Sequence, residues 1–425
     1  MVKMMCGMLT ALVTGAVWAA PQVTKVNVTP VGEAGNVQVS YTVSEDAVVT
    51  FDVLVDSQPL ADMAGFASVT GSVFRLVRAG DAAFVWCPTK ALEDRRTYGQ
   101  KLEVRIKAWP TNSPPDYMIC DLSQGKAGFA VEYYERLGQI PGGITNDMYK
   151  TTKLPLRRIP AAGVQWREGT SSGGRYVTLS DDYYIGVYLL TSAQHNRLVK
   201  SASPGLGKSA YRKNYGTFRD EGWPGSGHEL TKSDTNLYKY RDFSGLKFDM
   251  PTEAQWEFAA RGGCPNLVYD ATDPTTGTDT VYDDSGNKTS ASVGAVGWYY
   301  YNYGNTHADS TKNGYNQVYP EVGLLPPNAY GLYDVLGLVM EWCLDWEESW
   351  TAGSTVSNPT GPTTGTKRRL RGGSCYQSAK AATLAERTSN FPSYGLDSGS
   401  LAQFSDNMCA DDFGIRLCLP CNAVK

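Results

Sequence analysis

Short runs of alternating apolar and polar residues fill the first 120 residues and limit the fold more than any other feature. Six such runs are separated by clusters of Gly, Asp, Pro and Ser: VTKVNVTP, GNVQVSYTVS, AVVTFDVLVD, GSVFRLVRAG, AAFVWCP and KLEVRIKAW. A period of two residues gives a strand one apolar face, and closely spaced strands of this kind pair as hairpins. The pattern therefore predicts an all-β, antiparallel sandwich over residues 20–125.

The number and length of these strands resemble immunoglobulin and fibronectin type III domains. The region contains no histidine, and its acidic residues stand at turns such as Ser44–Asp46 or at exposed alternate positions. Because no set of side chains here suits catalysis, we interpret the sandwich as a spacer or docking module. The segment 109–116 is rich in proline and polar residues and marks the approach to a second domain, which we place at residues 126–425.

The N-terminus has the pattern of a secretory signal peptide, with an early lysine, an apolar centre and small residues before the cleavage point. We place cleavage after Ala19, because cleavage one residue later would put bulky Trp18 at a position that prefers small side chains. The alternatives are a membrane anchor, although 9–20 is short for a bilayer, and a lipid on Cys6. We expect residues 1–19 to be removed and the protein to be secreted, periplasmic or at the cell surface.

Charged residues of both signs are mixed along the chain. The formal net charge is −4 and 19% of the residues are charged, with no basic cluster that would bind nucleic acid or an anionic membrane. No later segment is long and apolar enough to span a bilayer. We therefore exclude nucleic acid as a partner and expect no membrane span after signal cleavage. The sequence leaves the oligomeric state open.

Eight cysteines remain after signal cleavage, an even number that permits disulfides in an exported protein. Eight thiols allow roughly a hundred pairings, and the sequence does not choose between them. The CLPC spacing at Cys418–Cys421 has no second pair and no βαβ context, so it favours a structural bridge or burial over redox or zinc chemistry. The others are Cys87, Cys120, Cys264, Cys343, Cys375 and Cys409.

Beyond about residue 130, strand-like pieces alternate with two short helices and long polar loops. Thr191 with Gln194, and likewise Thr252 with Gln255, form the pattern of a capping box, in which two side chains satisfy backbone groups at a helix start. These pairs predict helices over SAQHNRLVK and EAQWEFAARGG. In the second helix, Trp256 and the alanines three and four residues later share a face that we expect in the core, and two glycines end the helix.

Four runs in a fixed order carry a resemblance over roughly residues 130–421. They are FDMPTEAQWEFAARGG (248–263), PPNAYGLYDVLGLVMEWCLDW (326–346), RLRGGS (369–374) and FGIRL (413–417). Together they resemble the formylglycine-generating enzyme family, also called sulfatase-modifying factor domains. The stretch 176–199 is similar to the opening strand and helix of that family.

The resemblance implies an α+β domain with a C-type-lectin-like core and long loops, behind the all-β sandwich. It also implies a tight turn after Arg371, where glycines permit positive φ or close packing. Arg416 would require a buried carboxylate partner. The candidates are Glu253, Glu257 and Glu341. Structural roles are assigned to Glu253, Trp256, Glu257, Glu341, Trp342, Arg371, Gly372, Gly373 and Arg416, with Trp346 as a further core aromatic residue.

The resemblance further implies an activity, the oxidation of a sulfatase cysteine to formylglycine with oxygen and a copper ion held by two cysteines. Polarizable thiolates suit Cu(I). Counted from Ser374, the two cysteine positions hold Gln377 and Ala382, neither of which can bind copper. Cys375 is the only catalytic candidate. It follows the turn where the family generally carries an aromatic or aliphatic residue, so packing is favoured, and catalysis would need a second thiol from distant sequence.

Metal sites of related proteins also depend on residues that differ here. The family's GNVWEW is GLVMEW at 337–342, so Leu338 replaces an asparagine associated with a structural calcium, and leucine has no side-chain oxygen for that ion. Candidate calcium ligands elsewhere are Asn316, Asn328, Asp334 and Glu341. No metal-binding spacing connects His195, His228 and His307, which argues against the iron chemistry of ergothioneine-type relatives.

Two hypotheses of function follow. The first is an exported pseudoenzyme whose domain keeps the family scaffold without the copper-binding cysteine pair and serves as a non-catalytic binding or interaction module for a protein or glycan. In it, the aromatic run WYYYNYG at 298–304 would contact a peptide or sugar, or else alternate inward as a strand. The alternative is a diverged formylglycine-generating oxidase, and copper is expected only in that case.

Overall fold

The structure is a computed structural model, and it describes residues 10–12, 20–32, 36–59, 69–87, 101–201, 207–211, 218–219, 235–281, 290–303, 320–390 and 412–422. The chain divides into two compact units. The first comprises Met1–Asp121, Ala130–Tyr149 and Cys421–Lys425, and the second comprises Leu122–Phe129 and Lys150–Pro420. The predicted domain boundary after residue 125 falls inside Leu122–Phe129, a segment of the second unit. The start of the second domain therefore stays a prediction.

The first unit is built from β-strands. They are β1 (Thr10–Leu12), β2 (Val23–Val31), β3 (Asn36–Val43), β4 (Ala47–Val55), β5 (Gln58–Pro59), β6 (Thr70–Gly71), β7 (Arg75–Val77), β8 (Gly80–Trp86), β9 (Leu102–Pro110), β10 (Tyr117–Asp121) and β11 (Ala130–Tyr134). One sheet has the order β2-β3-β8-β6, and the other has the order β1-β9-β4-β5 with β7 also on β4. Their pairings are antiparallel except that of β1 with β9. The six alternating runs of the sequence coincide with strands of these sheets.

Aromatic rings from both sheets fill the core of the first unit. The ring centroid of Phe51 on β4 lies 4.7 Å from that of Phe84 and 5.8 Å from that of Trp86, both on β8. Val49 and Val53 lie two residues to either side of Phe51 and are fully buried. β4 is buried at every position from Ala47 to Leu54, so both of its faces are covered, and the contact of Phe51 with Phe84 and Trp86 shows that the two sheets pack face to face.

The second unit is rich in β-structure but made of short pieces. Its strands are β12 (Lys153–Ile159), β13 (Gln165–Glu168), β14 (Arg175–Thr178), β15 (Tyr183–Gly186), β16 (Val268–Tyr269), β17 (Gly277–Thr278), β18 (Met340–Trp346), β19 (Thr355–Ser357), β20 (Arg368–Arg371), β21 (Thr388–Asn390), β22 (Phe413–Gly414) and β23 (Cys418–Pro420). A four-stranded sheet has the order β21-β20-β18-β22, and β13-β14-β19 form another. β15 pairs with β12 and β23, and β16 pairs with β17.

Four α-helices of the second unit are described, namely α1 (Ser192–Leu198), α2 (Asn236–Ser244), α3 (Glu253–Arg261) and α4 (Ala291–Val296). The capping boxes predicted at Thr191 and Thr252 are confirmed, because each threonine accepts from the backbone N–H three residues on and the glutamine side chain accepts in return. α3 ends at Gly262 in the left-handed conformation, as predicted. No helix in the described ranges has the length and apolar character to cross a membrane.

The sheet of β18 and β20 organises the part of the second unit that carries the family motifs. The two strands are antiparallel, with Glu341 opposite Arg371 and Trp342 opposite Leu370. Trp256 of α3 belongs to the hydrophobic core of this unit together with short apolar residues such as Ala382. Charged residues of α3, β18 and β20 are buried with this core, and they define the candidate site.

Candidate functional site

A tight turn follows β20 and precedes the two positions at which the resemblance implies copper-binding cysteines. Gly372 and Gly373 have φ of +90° and +72°. A Cβ on Gly373 would lie 2.8 Å from the Cα of Ala382 and closer still to the carbonyl of Ala381. A side chain would be strained in this conformation and would collide with backbone, so glycine is required here.

The two side chains at the expected copper positions lie against this turn and contain no sulfur. Gln377 accepts the backbone N–H of Ser374 through its Oε1 at 3.1 Å, and its own carbonyl accepts the N–H of Tyr300 at 2.9 Å. Ala382 is fully buried. The turn thus uses the amide of Gln377 as a structural group, and these two residues do not fit a Cu(I) ion, which prefers soft sulfur ligands.

Cys375 lies in the interior beside this turn. It is fully buried, and its backbone N–H donates to the carbonyl of Leu338 at 3.1 Å. Cys343 of β18 is also fully buried, and desolvation raises the pKa of its thiol well above the ordinary value. A buried thiol is a poor source of the thiolate that nucleophilic or redox chemistry requires. The distant thiols that the sequence offered as a second ligand are Cys343, Cys409 and Cys418; Cys418 is also buried, and Cys409 lies outside the described residues.

Arg416 forms a buried ion pair with one of its three candidate carboxylates. Its Nη2 lies 2.7 Å from Oε1 of Glu341, and its Nε donates to the other oxygen at 2.9 Å. The indole N–H of Trp256 donates to the same carboxylate at 2.7 Å. The remaining guanidinium N–H groups donate to the backbone carbonyls of Gly186, Val187 and Tyr333. Glu341 is therefore saturated, and the pair joins β18 to the C-terminal FGIRL run.

The other two candidate carboxylates, Glu253 and Glu257 on α3, bind different arginines. Arg387 donates to both oxygens of Glu253 at 2.7 and 2.8 Å, while Arg371 of β20 donates to Oε2 of Glu257. Burial opposes ionisation of Glu253, but the hydrogen bond from Arg387 and the charges of neighbouring arginines hold its pKa below the ordinary value. The α3 carboxylates thus fix the helix to the strand that precedes the RGGS turn.

Residues that the sequence did not single out complete this charge cluster. Glu168 of β13 accepts from Nε of Arg175 at 2.7 Å, and Asp345 of β18 accepts the backbone N–H of Glu253 at 2.6 Å. Desolvation, followed by the nearby carboxylates, raises the pKa of Glu168 to about 8 and that of Asp345 to about 7. Both residues are acidic and lie inside strand-like runs of the sequence. Because a buried acidic residue needs a partner, this position could have marked them as candidates.

Four tyrosines lie at the surface end of the turn region. The ring of Tyr303 lies 6.4 Å from that of Tyr376, and Tyr300 contacts Tyr301 at 5.0 Å, both edge to face. These four rings are half-buried, whereas Tyr299 is buried. The run WYYYNYG is therefore divided between core and surface.

Three of the four proposed calcium ligands lie among the described residues, and each has hydrogen-bond partners within the protein. Asn328 donates to the carbonyls of Ala259 and Ala260 and accepts two backbone N–H groups, so it caps α3. Glu341 is saturated by Arg416 and Trp256. Asp334 accepts from Gly323 N at 2.6 Å, and burial raises its pKa to about 6. Asn316 lies outside the described residues.

No group of three or more acidic, histidine or cysteine side chains in the described part of the chain is placed to hold a metal ion. His195 stacks on Tyr211 with ring centroids 3.6 Å apart and shares a hydrogen bond of 2.6 Å with the hydroxyl of Tyr240. This is a packing role between α1 and α2. His228 and His307 lie outside the described residues.

Comparison with known proteins identifies the family. The profile described as "Sulfatase-modifying factor enzyme 1-like domain" matches residues 157–398, more than half of the chain. The chain therefore belongs to this family, and the expectation from the sequence motifs is confirmed.

Several relatives are named as formylglycine-generating enzymes. That of Mus musculus is 35% identical over 152 residues, covering 34% of this chain and 35% of the relative. That of Thermomonospora curvata is 35% identical over 171 residues, covering 36% of this chain and 47% of the relative. "Inactive C-alpha-formylglycine-generating enzyme 2" of Bos taurus is 34% identical over 96 residues, 22% of this chain and 25% of the relative. The matched part thus spans less than half the length of each.

Solved structures show weaker likeness. "Treponema denticola variable protein 1" has a TM-score of 0.41 at 21% identity, covering 63% of this chain and 96% of that chain. PvdO from Pseudomonas aeruginosa has a TM-score of 0.37 at 18% identity, covering 62% of this chain and 93% of that chain. Neither likeness carries a functional conclusion.

Proposed function

We propose that this protein is an exported, non-catalytic binding module built on the sulfatase-modifying factor scaffold. The observation that carries the proposal is the chemistry of the turn after β20. Gln377 and Ala382 occupy the two expected cysteine positions, and the glutamine amide closes the turn on Ser374 N. A bovine relative is itself named an inactive formylglycine-generating enzyme.

Copper would supply oxygen activation in an active relative, and it needs two soft ligands to be held there. In this chain the residues at the turn hydrogen-bond to one another. Gln377 orients the backbone of Ser374, and Ser374 Oγ donates to Oδ2 of Asp412 at 3.3 Å. These contacts support a rigid turn that presents a surface and does no redox chemistry.

The ligand we propose is a protein segment or a glycan bound at Tyr300, Tyr301, Tyr303 and Tyr376. Half-buried aromatic rings offer a large flat area at little cost in side-chain entropy, and tyrosine hydroxyls can hydrogen-bond to peptide or sugar groups. A C-type-lectin-like arrangement of the core is part of the same proposal. Export rests on the signal peptide proposed for residues 1–19, most of which lie outside the described residues.

The first experiment combines Cu(I) titration of the purified, reduced protein with mass spectrometry of a sulfatase-type cysteine peptide incubated in air. We expect no tight Cu(I) binding and no conversion of the peptide cysteine to an aldehyde. Tight binding that disappears in Cys375→Ser, together with aldehyde formation, would instead establish the diverged oxidase.

The matched control is the double variant Gln377→Cys/Ala382→Cys. Because the turn holds both positions beside Gly373 and Ser374, this variant should gain Cu(I) affinity if the lost thiols are the reason for inactivity. A double variant that folds as the wild type does but binds no Cu(I) would mean that the scaffold, and not only the ligands, has diverged.

A further inference from the structure

Glu168 and Asp345 are buried carboxyl groups of the second unit, and each has one oxygen without a hydrogen-bond partner among the described residues. Glu168 is fully buried, and its Oε2 accepts from Arg175 while Oε1 has no partner. Asp345 is 1% exposed, and its Oδ2 accepts from Glu253 N while Oδ1 has no partner. An ionised oxygen buried without a donor costs several kcal/mol, whereas a neutral carboxyl group costs much less.

Both groups also lie near carboxyl groups of α3 that are bound to arginines. Glu257 accepts the N–H of Gly169, the residue after Glu168, at 2.7 Å, and also binds Arg261 at 2.8 Å. Asp345 caps the N-terminus of α3 at Glu253, whose two oxygens bind Arg387. A second negative charge at such a short distance is unfavourable in a buried site.

The charged and titratable groups that act on the two carboxyl groups come from every neighbouring element. Around Glu168 they are Arg175, Glu253, Glu257 and Arg371, and around Asp345 they are Arg175, Glu253, Cys343 and Glu348. Arg175 is the one cation in both sets, and it is shared further, because its Nη1 donates to Glu348 at 2.9 Å. The available positive charge is therefore already divided among several acids.

We propose that Glu168 and Asp345 keep their protons in the folded protein near pH 6 and act as a proton-dependent latch on α3. Asp345 of β18 binds the start of α3 directly, and Glu168 of β13 acts through the adjoining Gly169, whose N–H donates to Glu257 of α3. When they are protonated, the helix is held by hydrogen bonds without surplus negative charge. When they ionise, carboxylates repel one another across the same contacts and the second unit loosens. The unit is thus most stable in mildly acidic surroundings.

The direction of the pH effect follows from linkage. The ordinary carboxyl pKa is 4.5 for Glu168 and 3.8 for Asp345, and burial raises them to about 8 and about 7 in the folded state. Between these values the folded chain binds more protons than the unfolded chain, so stability falls as pH rises. The loss begins above the ordinary values and is complete once the pH exceeds the folded values.

The test uses the full chain and two readouts. Infrared spectroscopy should show the C=O stretch of neutral carboxylic acids in folded protein at pH near 6, reduced in Glu168→Gln and in Asp345→Asn, and lost by about pH 9. Hydrogen exchange of peptides from β13 and α3 should accelerate as the pH rises, after correction for the intrinsic rate. The melting temperature should fall by several degrees from about pH 5 to about pH 8, and each variant should remove roughly half of that fall.

Glu347→Gln is the matched control, since this carboxyl group is 44% exposed and should leave the pH dependence unchanged. Asp334 is also buried with a raised pKa of about 6 and would contribute to the same band, so if either latch variant does not fold, the band that remains in Asp334→Asn decides the matter. Absence of a neutral-carboxyl band at pH 6, or equal pH dependence in wild type and both variants, would overturn the latch.

Discussion

Phe51 in the first unit and Arg371 in the second are both almost fully buried, but their surroundings have opposite chemistry. Phe51 packs against the rings of Phe74, Phe84 and Trp86, within long strands. Arg371 contacts the carboxylates of α3 and the carbonyls of a loop that has little regular structure.

The difference shows two ways of specifying a core. An apolar sandwich core is specified by periodicity, and many hydrophobic side chains of similar volume would serve. Buried ion pairs are specified by particular partners, because each buried charge is costly when its partner is lost. The second unit can therefore be irregular in backbone and still have a defined arrangement, and its tolerance to substitution should be lower.

Removing one member of a buried ion pair should have the largest effect. Arg416→Met leaves Glu341 charged in the core and should lower the free energy of unfolding by about 3–5 kcal/mol, measured by denaturant titration. Arg416→Met/Glu341→Gln keeps an acceptor for Trp256 and should recover a part of this loss. Arg78→Met is the control in the first unit, because Arg78 is 82% exposed and its removal should have no measurable effect. Equal stability of the single and double variants would contradict one-to-one pairing.

Substitution of a glycine at a close backbone contact should destabilise the protein nearly as much as loss of an ion-pair partner. Gly337 has φ +75°, and a Cβ there would lie 1.8 Å from the carbonyl oxygen of Trp298. Gly337→Ala should cost about 3 kcal/mol or more, from strain and overpacking together. Gly353 has φ +74°, and a Cβ there would have no other atom within 4 Å, so Gly353→Ala should cost only about 1 kcal/mol. Similar costs at the two glycines would mean that the close contact is absent.

More of the first unit than of the second could be predicted from the sequence, and the reason is physical. In the first unit, β3 and the end of β8 follow the two-residue period, which is a local signal, whereas β4 is buried along almost its whole length. In the second unit, the caps at Thr191 and Thr252 are local and were predicted, and α2 carries similar signals, Thr235 before its start and Gly245 at its end, that were overlooked. Pairings such as that of Glu168 with Arg175 in a hairpin, or Arg387 with Glu253, depend on tertiary structure, so a single sequence cannot choose them.

A small loss of volume in the apolar core should be less costly. Val53→Ala removes two methyl groups from a fully buried position on β4 and should lower stability by about 2 kcal/mol. Calorimetry of the full chain would measure it, and the cost should not vary between about pH 5 and about pH 8. If the loss of stability in Val53→Ala changed with pH, a titrating group would have to contribute to the packing around Val53, contrary to this prediction.

The smallest effect should come from a helix cap. Thr252→Ala removes the acceptor for Gln255 N while its partner glutamine can still reach the backbone, so the loss should be about 1 kcal/mol. Thr252→Ser retains the hydroxyl and should behave as the wild type in the same denaturant titration. A loss well above that of an ordinary cap would show that α3 is held mainly by its N-terminus. In that case the ion pairs of the α3 carboxylates would contribute less to the stability of the second unit than their geometry indicates. The contrast with the apolar sandwich would then be weaker.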